Sequence, residues 1–216
     1  MAFISARAVY APAKLCIADR MDAAGATAGE LAARLGLDAP ALERLLRALS
    51  GTGVVRRDAD GRFALTPLGA TLRRDAPDSV RDYVVYAHEF LYELFRGLDV
   101  SVRTGRPAVE DIFGAPLFTY LQSSPEKGAL FHAGLGNRGQ IEAPAILEAF
   151  EFADGRRIVD LGGGNGAFLS ALLARHPGAL GVLLERAPAI AAARAGKGGP
   201  LPRCELIEGD YFQSVP

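Results

Sequence analysis

The chain has 216 residues, with 24 Lys and Arg against 25 Asp and Glu for a formal net charge of −1, and half of it is hydrophobic. That is apolar mass enough for one or two packed domains, and the near-neutral balance lacks the strongly basic domain of an ordinary nucleic-acid binder. Cys16 and Cys204 make neither a disulfide framework nor a ligand cluster, and no apolar run or signal-peptide layout points to a membrane or to export, so a cytoplasmic protein with no membrane or nucleic-acid partner is predicted.

Residues 1–75 read as a small helical unit ending in a hairpin. Leu15, Ile17, Ala18 and Met21 give an apolar helical stripe that stops near Gly25. Thr27-Ala28-Gly29-Glu30 fits a capping box and opens a short helix, Leu31 to Leu35, closed by Gly36. Asp38 is the predicted cap of the next helix, whose Leu42, Leu45, Leu46 and Leu49 share one face until Gly51-Thr52-Gly53 ends it. Val54 to Arg57, Asp58 to Gly61 and Arg62 to Leu65 are strand, turn and strand. Helix, turn, helix and two-stranded wing make a winged helix. The fold invites a DNA-reading role, but 11 basic and 8 acidic side chains leave a net of only +3, and the second helix offers Arg44 and Arg47 and little else polar. Base readout needs several long hydrogen-bonding side chains on one face. Packing against another subunit, as a dimerisation domain, accounts better for the apolar first helix.

Residues 78–150 are predicted to be mostly helical, and they carry 10 of the 17 Phe and Tyr residues. Ser124-Pro125-Glu126 is a helix start with Pro at its first position, and the segment after it contains Phe131, His132, Leu135 and Arg138. Two readings stand for this region: a pocket for a flat apolar molecule, or aromatic rings filling a helical core.

In residues 151–216 the pattern changes. Arg157 to Leu161 suits a buried parallel strand, Gly162-Gly163-Gly164-Asn165-Gly166 follows at once, and Phe168 to Arg175 reads as helix. Strand Leu180 to Leu184 ending in Glu185, helix Pro188 to Arg194, a Gly/Pro-rich loop and strand Cys204 to Ile207 running into Gly209-Asp210-Tyr211-Phe212 complete β-α-β-α-β. This is the opening half of a doubly wound, Rossmann-like α/β sheet.

A strand running into Asp160-x-Gly162-x-Gly164-x-Gly166 and then a helix places flexible backbone where a ligand approaches without an intervening side chain, beside amides that favour an anionic group. Glu185 at the end of the second strand offers two acceptors for a ribose diol. Asp210 at the end of the third can accept from an adenine amino group, with Tyr211 packed against the ring. Asp160, inside its strand, is expected to hold the loop or to meet the cofactor amino group through water. An adenosine-bearing ligand unites these residues. The dinucleotide fingerprint is met literally by Gly162-x-Gly164-x-x-Ala167, but it ordinarily opens a domain with no winged helix before it.

The Asp-x-Gly-x-Gly-x-Gly spacing resembles the first motif of class I S-adenosylmethionine methyltransferases. The whole chain resembles the N-terminal two-thirds of the caffeate/hydroxyindole type of O-methyltransferase. The stretches that carry this are Ile17 to Met21, Leu42 to Leu49, Leu65 to Gly69, Thr104 to Pro107, Ser124 to Glu126, Val159 to Gly164, and Gly209 to Phe212. The resemblance implies an N-terminal winged helix that forms a homodimer, middle helices shaping a pocket for a small aromatic or polyketide-like acceptor, and S-adenosyl-L-methionine as cofactor. Gly162, Gly163, Gly164 and Gly166 would cradle its methionine part, Glu185 its ribose, and Asp210 with Tyr211 its adenine. Phe131 and Leu135, the latter standing where many relatives carry Met, would touch substrate or cofactor. Domains are drawn at 1–75, 78–150 and 151–216.

In that family a later helix bears the His that acts as general base, and this sequence reaches Ser214-Val215-Pro216 without it. None of His88, His132 or His176 occupies a matching position, so no catalytic residue is assigned. The chain is expected to be a gene fragment, a mis-assembled open reading frame or half of a split enzyme, without turnover of its own, and Ile158 to Leu161 to form an exposed apolar sheet edge. The rival functions are a non-catalytic winged-helix dimerisation or regulatory module, and a cofactor binder with chemistry other than methylation.

Overall fold

The computed structural model describes residues 2–22, 24–152 and 154–216. The first helix, Ala2–Lys14 (α1), ends before most of the apolar stripe that the sequence suggested would be helical. Cys16 adopts a left-handed φ of 55°, and the Ile17 amide closes back onto the Pro12 carbonyl at 2.9 Å, which terminates the helix. Only a 3-10 turn, Ala18–Arg20, follows. The stripe is still the core, with Ile17, Ala18 and Met21 buried, whereas Leu15 is exposed.

Helices Ala28–Leu35 (α2) and Ala39–Gly51 (α3) start as their caps dictate. Glu30 N–H donates to Thr27 Oγ1 at 3.2 Å and Thr27 N–H to Glu30 Oε2 at 2.8 Å. Asp38 Oδ1 accepts from Ala41 N–H at 2.8 Å. Gly36, at φ 67°, ends α2. Strands Val55–Arg57 (β1) and Phe63–Leu65 (β2) pair antiparallel as the wing, and Phe63 also bridges to Ala26. Leu31, Leu46, Leu49 and Phe63 meet Ile17 in one buried cluster.

After the short helix Pro67–Ala70 (α4), helix Arg81–Tyr86 (α5) runs through a π-turn at Ala87–Leu91 into Tyr92–Phe95 (α6). Helices Leu98–Thr104 (α7), Val109–Phe113 (α8) and Leu117–Gln122 (α9) precede the long Pro125–Ala149 (α10). Tyr10 Oη donates to Glu89 Oε1 at 2.7 Å, tying α1 to the π-turn; burial, reinforced by that bond, pushes the Tyr10 phenol up to about 12. Of the two readings of the aromatic residues, the core describes most of the rings. Phe113 stacks on Tyr120 with centroids 4.3 Å apart and on Phe90 at 5.1 Å, and Gly134 of α10 leaves the room that the Tyr86 ring fills. Tyr92, Phe95 and Phe118 instead face outward.

Residues 1–134 and 135–216 form two compact units. In the second, strands Arg157–Leu161 (β3), Leu180–Glu185 (β4) and Cys204–Glu208 (β5) alternate with helices Ala167–Arg175 (α11) and Ala187–Arg194 (α12). The sheet is parallel in the order β3-β4-β5, with Leu161 beside Leu184 and Glu185 beside Glu208. Central β4 buries Val182, Leu183 and Leu184, and Leu183 packs in one cluster with Leu169, Leu172, Leu173 and Ile190 of the helices. Strand β3 is an outer strand of this three-stranded sheet, with Val159 and Leu161 exposed, whereas Ile158, expected to be exposed with them, packs half-buried against the helices. Among the described residues no helix is long and apolar enough to cross a membrane, and no group of three or more His, Cys, Asp or Glu is placed to hold a metal ion.

Candidate functional site at the strand ends

Three glycines turn the chain between β3 and α11. Gly162, Gly164 and Gly166 have φ of 72°, 61° and 79°, a region that costs any other L-residue roughly 1–2 kcal/mol. Gly162 N–H donates to Leu184 O at 2.9 Å, extending the β3–β4 ladder by one step, and Gly166 N–H closes the turn on Gly163 O at 3.0 Å. Nothing lies within 4 Å of where a Cβ on Gly164 would stand, so this stretch of backbone faces open space. Gly166 is the N-cap of α11 and offers no side-chain cap; Asn165 Oδ1 takes up one amide, that of Ala167, at 3.2 Å.

The loop is supported from beneath. A Cβ on Gly163 would overlap the Asp160 carboxylate, and one on Gly198 would overlap the Asn165 carbonyl. Ser170 Oγ donates to Pro200 O at 2.7 Å, so the glycine-rich loop after α12 is packed against the first turn of α11. That support went unread in the sequence, although the Gly198-Gly199-Pro200 cluster marks it. Gly136 of α10 likewise leaves room for the Asn165 amide, which sets Leu135, its neighbour in the chain, at the start of this unit.

The acids of the three strands are arranged as follows. Burial first, and the Glu185 charge second, hold the Asp160 carboxyl above its ordinary value. Glu185, the last residue of β4, accepts from Arg186 N–H through Oε2, while its carbonyl accepts from Gly209 N–H at 3.0 Å. Asp210 does not close β5, as the sequence suggested, but stands two residues beyond it, past Gly209, whose bond to Glu185 extends the β4–β5 ladder by one step. Its Oδ1 accepts from Phe212 N–H at 3.0 Å and its Oδ2 pairs with Arg186 Nη2 at 3.0 Å. The Tyr211 ring reaches the first glycine, its Cε1 being 3.3 Å from where a Gly162 Cβ would lie. Asp160, Gly162, Gly163, Gly164, Gly166, Glu185, Asp210 and Tyr211 thus share one end of the sheet. Arg186 was not foreseen; its place directly after a strand-end acid was the available signal.

Phe131 belongs to the first unit, edge-on to Tyr86 and Phe90 at 5.8 and 5.4 Å. His88 Nδ1 bonds the Val84 carbonyl at 2.9 Å between the rings of Tyr10 and Tyr92. His132 lies edge-on to Phe131 at 5.6 Å, and His176 caps the end of α11 remote from the glycines.

Residues 95–216 match the O-methyltransferase domain and residues 1–75 the O-methyltransferase dimerisation domain. The chain is 35% identical over 212 residues to the phenazine O-methyltransferase of Lysobacter antibioticus, covering 97% of this chain and 62% of that protein. The solved structure of CalO1, a methyltransferase of calicheamicin biosynthesis in its SAH-bound form, is 36% identical with a TM-score of 0.82, over 100% of this chain and 65% of that one. NcsB1, an O-methyltransferase from neocarzinostatin biosynthesis solved with S-adenosylmethionine and 2-hydroxy-5-methyl naphthoic acid, is 32% identical with a TM-score of 0.72, over 98% and 66%. The chain therefore spans about three-fifths of the length of the curated relatives it matches, 62% and 58% for two of them.

Proposed function

The chain belongs to the O-methyltransferase family, and on that premise we propose that its three strand ends bind S-adenosylmethionine for methyl transfer to a hydroxyl of a small aromatic secondary metabolite. The residues present suit that cofactor. The backbone around Gly164 is open to a ligand, and the start of α11, where Gly166 supplies no side-chain cap and Asn165 takes up only the Ala167 amide, favours a carboxylate. Asp160 and Glu185 together make a negative field, which favours the ammonium and sulfonium charges. Bound there, S-adenosylmethionine supplies a methyl group on a positively charged sulfur. Glu185 would accept from the ribose hydroxyls, Asp210 from the adenine amino group beside Tyr211, and Gly162, Gly163, Gly164 and Gly166 would leave room for the methionine part. Phe131 and Leu135 are proposed to touch acceptor or cofactor. Since methyl transfer is an in-line displacement, alignment of the acceptor oxygen would supply much of the acceleration.

One observation carries this reading: three left-handed glycines after β3 stand at the same end of the sheet as Glu185, the last residue of β4, and Asp210, two residues past β5. Relatives solved with S-adenosylmethionine or its product support the choice of adenosyl ligand. Calorimetry with S-adenosylhomocysteine and, separately, NAD tests it. Heat from the first and none from the second is expected; binding of NAD alone, or of neither, contradicts it. Residues 1–75 are proposed to form a homodimer, residues 78–150 to shape the acceptor pocket, and residues 151–216 to hold the cofactor. Light scattering giving twice the mass of the chain supports the dimer, and a monomer at high concentration argues against it.

A further inference from the structure

Arg186 touches both Glu185 and Asp210, by different means. Its main-chain N–H donates to the Glu185 carboxylate, and its guanidinium pairs with Asp210 at 3.0 Å. Its backbone is fixed independently, because its carbonyl accepts from Ala189 and Ile190 N–H at 3.0 and 3.1 Å in the first turn of α12. The Arg186 side chain is 59% exposed and that of Asp210 26%, and an ion pair at such exposure contributes little to stability. Its consequence is orientation. With Oδ1 on Phe212 N–H and Oδ2 on Arg186, the Asp210 carboxylate is held at both oxygens, and each keeps a lone pair among the roughly four that a carboxylate has.

We infer that Arg186 is a positioning residue for base recognition: its side chain holds Asp210 in the attitude that selects an adenine amino group, while its main chain separately holds Glu185 for the ribose. This rests on the reading of the strand ends as an S-adenosylmethionine site. Arg186→Met removes the guanidinium and keeps the N–H, so the two functions come apart.

The test is calorimetry on the 216-residue chain with S-adenosylhomocysteine, S-inosylhomocysteine, which replaces the amino group by an oxygen, and the 2′-deoxyadenosyl analogue. The native chain is expected to prefer the adenosyl over the inosyl compound by about tenfold, the size of one hydrogen bond to a charged group. Asp210→Ala should abolish that preference. Arg186→Met should narrow it severalfold while leaving the preference for ribose over 2′-deoxyribose unchanged, a division that general loosening of the loop would not produce. The double variant should be no less selective than Asp210→Ala alone, since the pair acts as one unit. Full adenosyl preference in Arg186→Met, or additive losses in the double variant, overturns the inference and leaves the cofactor reading standing. A native chain that binds none of the three compounds overturns both.

Discussion

Two helix starts within this chain are built on opposite plans. At α2 the first amides are closed from within, Thr27 and Glu30 each bonding the other's main chain. At α11 the cap is Gly166, with no side-chain bond of its own, and the chain before it passes twice more through glycine at positive φ. The first plan satisfies orphan donors so that a small helix holds its place. The second leaves backbone open to space and places two acids near it. The first turn is closed by its own side chains, and the second, proposed to meet the cofactor, is held from behind by Asp160 and the Gly198–Pro200 segment.

Substitutions can break or sharpen this contrast. The largest effect is expected in the first unit, where stability comes from packing. Phe63 is 1% exposed, and Phe63→Ala should cost about 3–5 kcal/mol in urea unfolding; a loss below about 1 kcal/mol would show that the wing is not the keystone of that core. Gly164→Ala should cost about 1–2 kcal/mol for its φ, because no atom stands near the new methyl. Its effect on ligand should be far larger, since the methyl enters the space proposed for the cofactor. Retained S-adenosylhomocysteine binding in that variant would move the ligand elsewhere. Thr27→Ala is the mirror case, with about 1 kcal/mol lost and ligand affinity unchanged.

The smallest expected effect has the opposite sign. Burial and then the charge of Glu185 raise the Asp160 carboxyl above its ordinary 3.8, so the folded chain binds this proton more tightly than the unfolded one. Stability is therefore lost as pH rises from about the ordinary value through the raised one, and the deficit persists at neutral pH. Asp160→Asn should be more stable than the native chain at pH 7 and equal to it at pH below 3.8, yet bind S-adenosylhomocysteine more weakly. Equal stability at both pH values would mean that neither burial nor the Glu185 charge disfavours the ionised Asp160 carboxyl.

Much of this was legible before any coordinates. Capping residues and glycine turns act locally, so Thr27, Asp38 and Gly36 announce their helices, and the β-α-β-α-β order follows from short apolar runs alternating with helical ones. What was misread depends on contacts distant in the chain. The apolar stripe at Ile17, Ala18 and Met21 has helical spacing but is buried by a helix end and a 3-10 turn, because burial and not periodicity placed it. Whether aromatic rings line a pocket or fill a core depends on what faces them, and Phe90, Phe113 and Tyr120 face one another. Arg186 gained its meaning only when α12 set it beside Asp210, 24 residues on.

The central claim is that successive strand ends grip one adenosyl group, and Glu185 is the residue through which to test it. Titrating the native chain and Glu185→Ala with S-adenosylhomocysteine should show one site per chain, weakened by about tenfold or more when the ribose acceptor is removed. Equal affinity of the two proteins, or no binding by the native one, would contradict it.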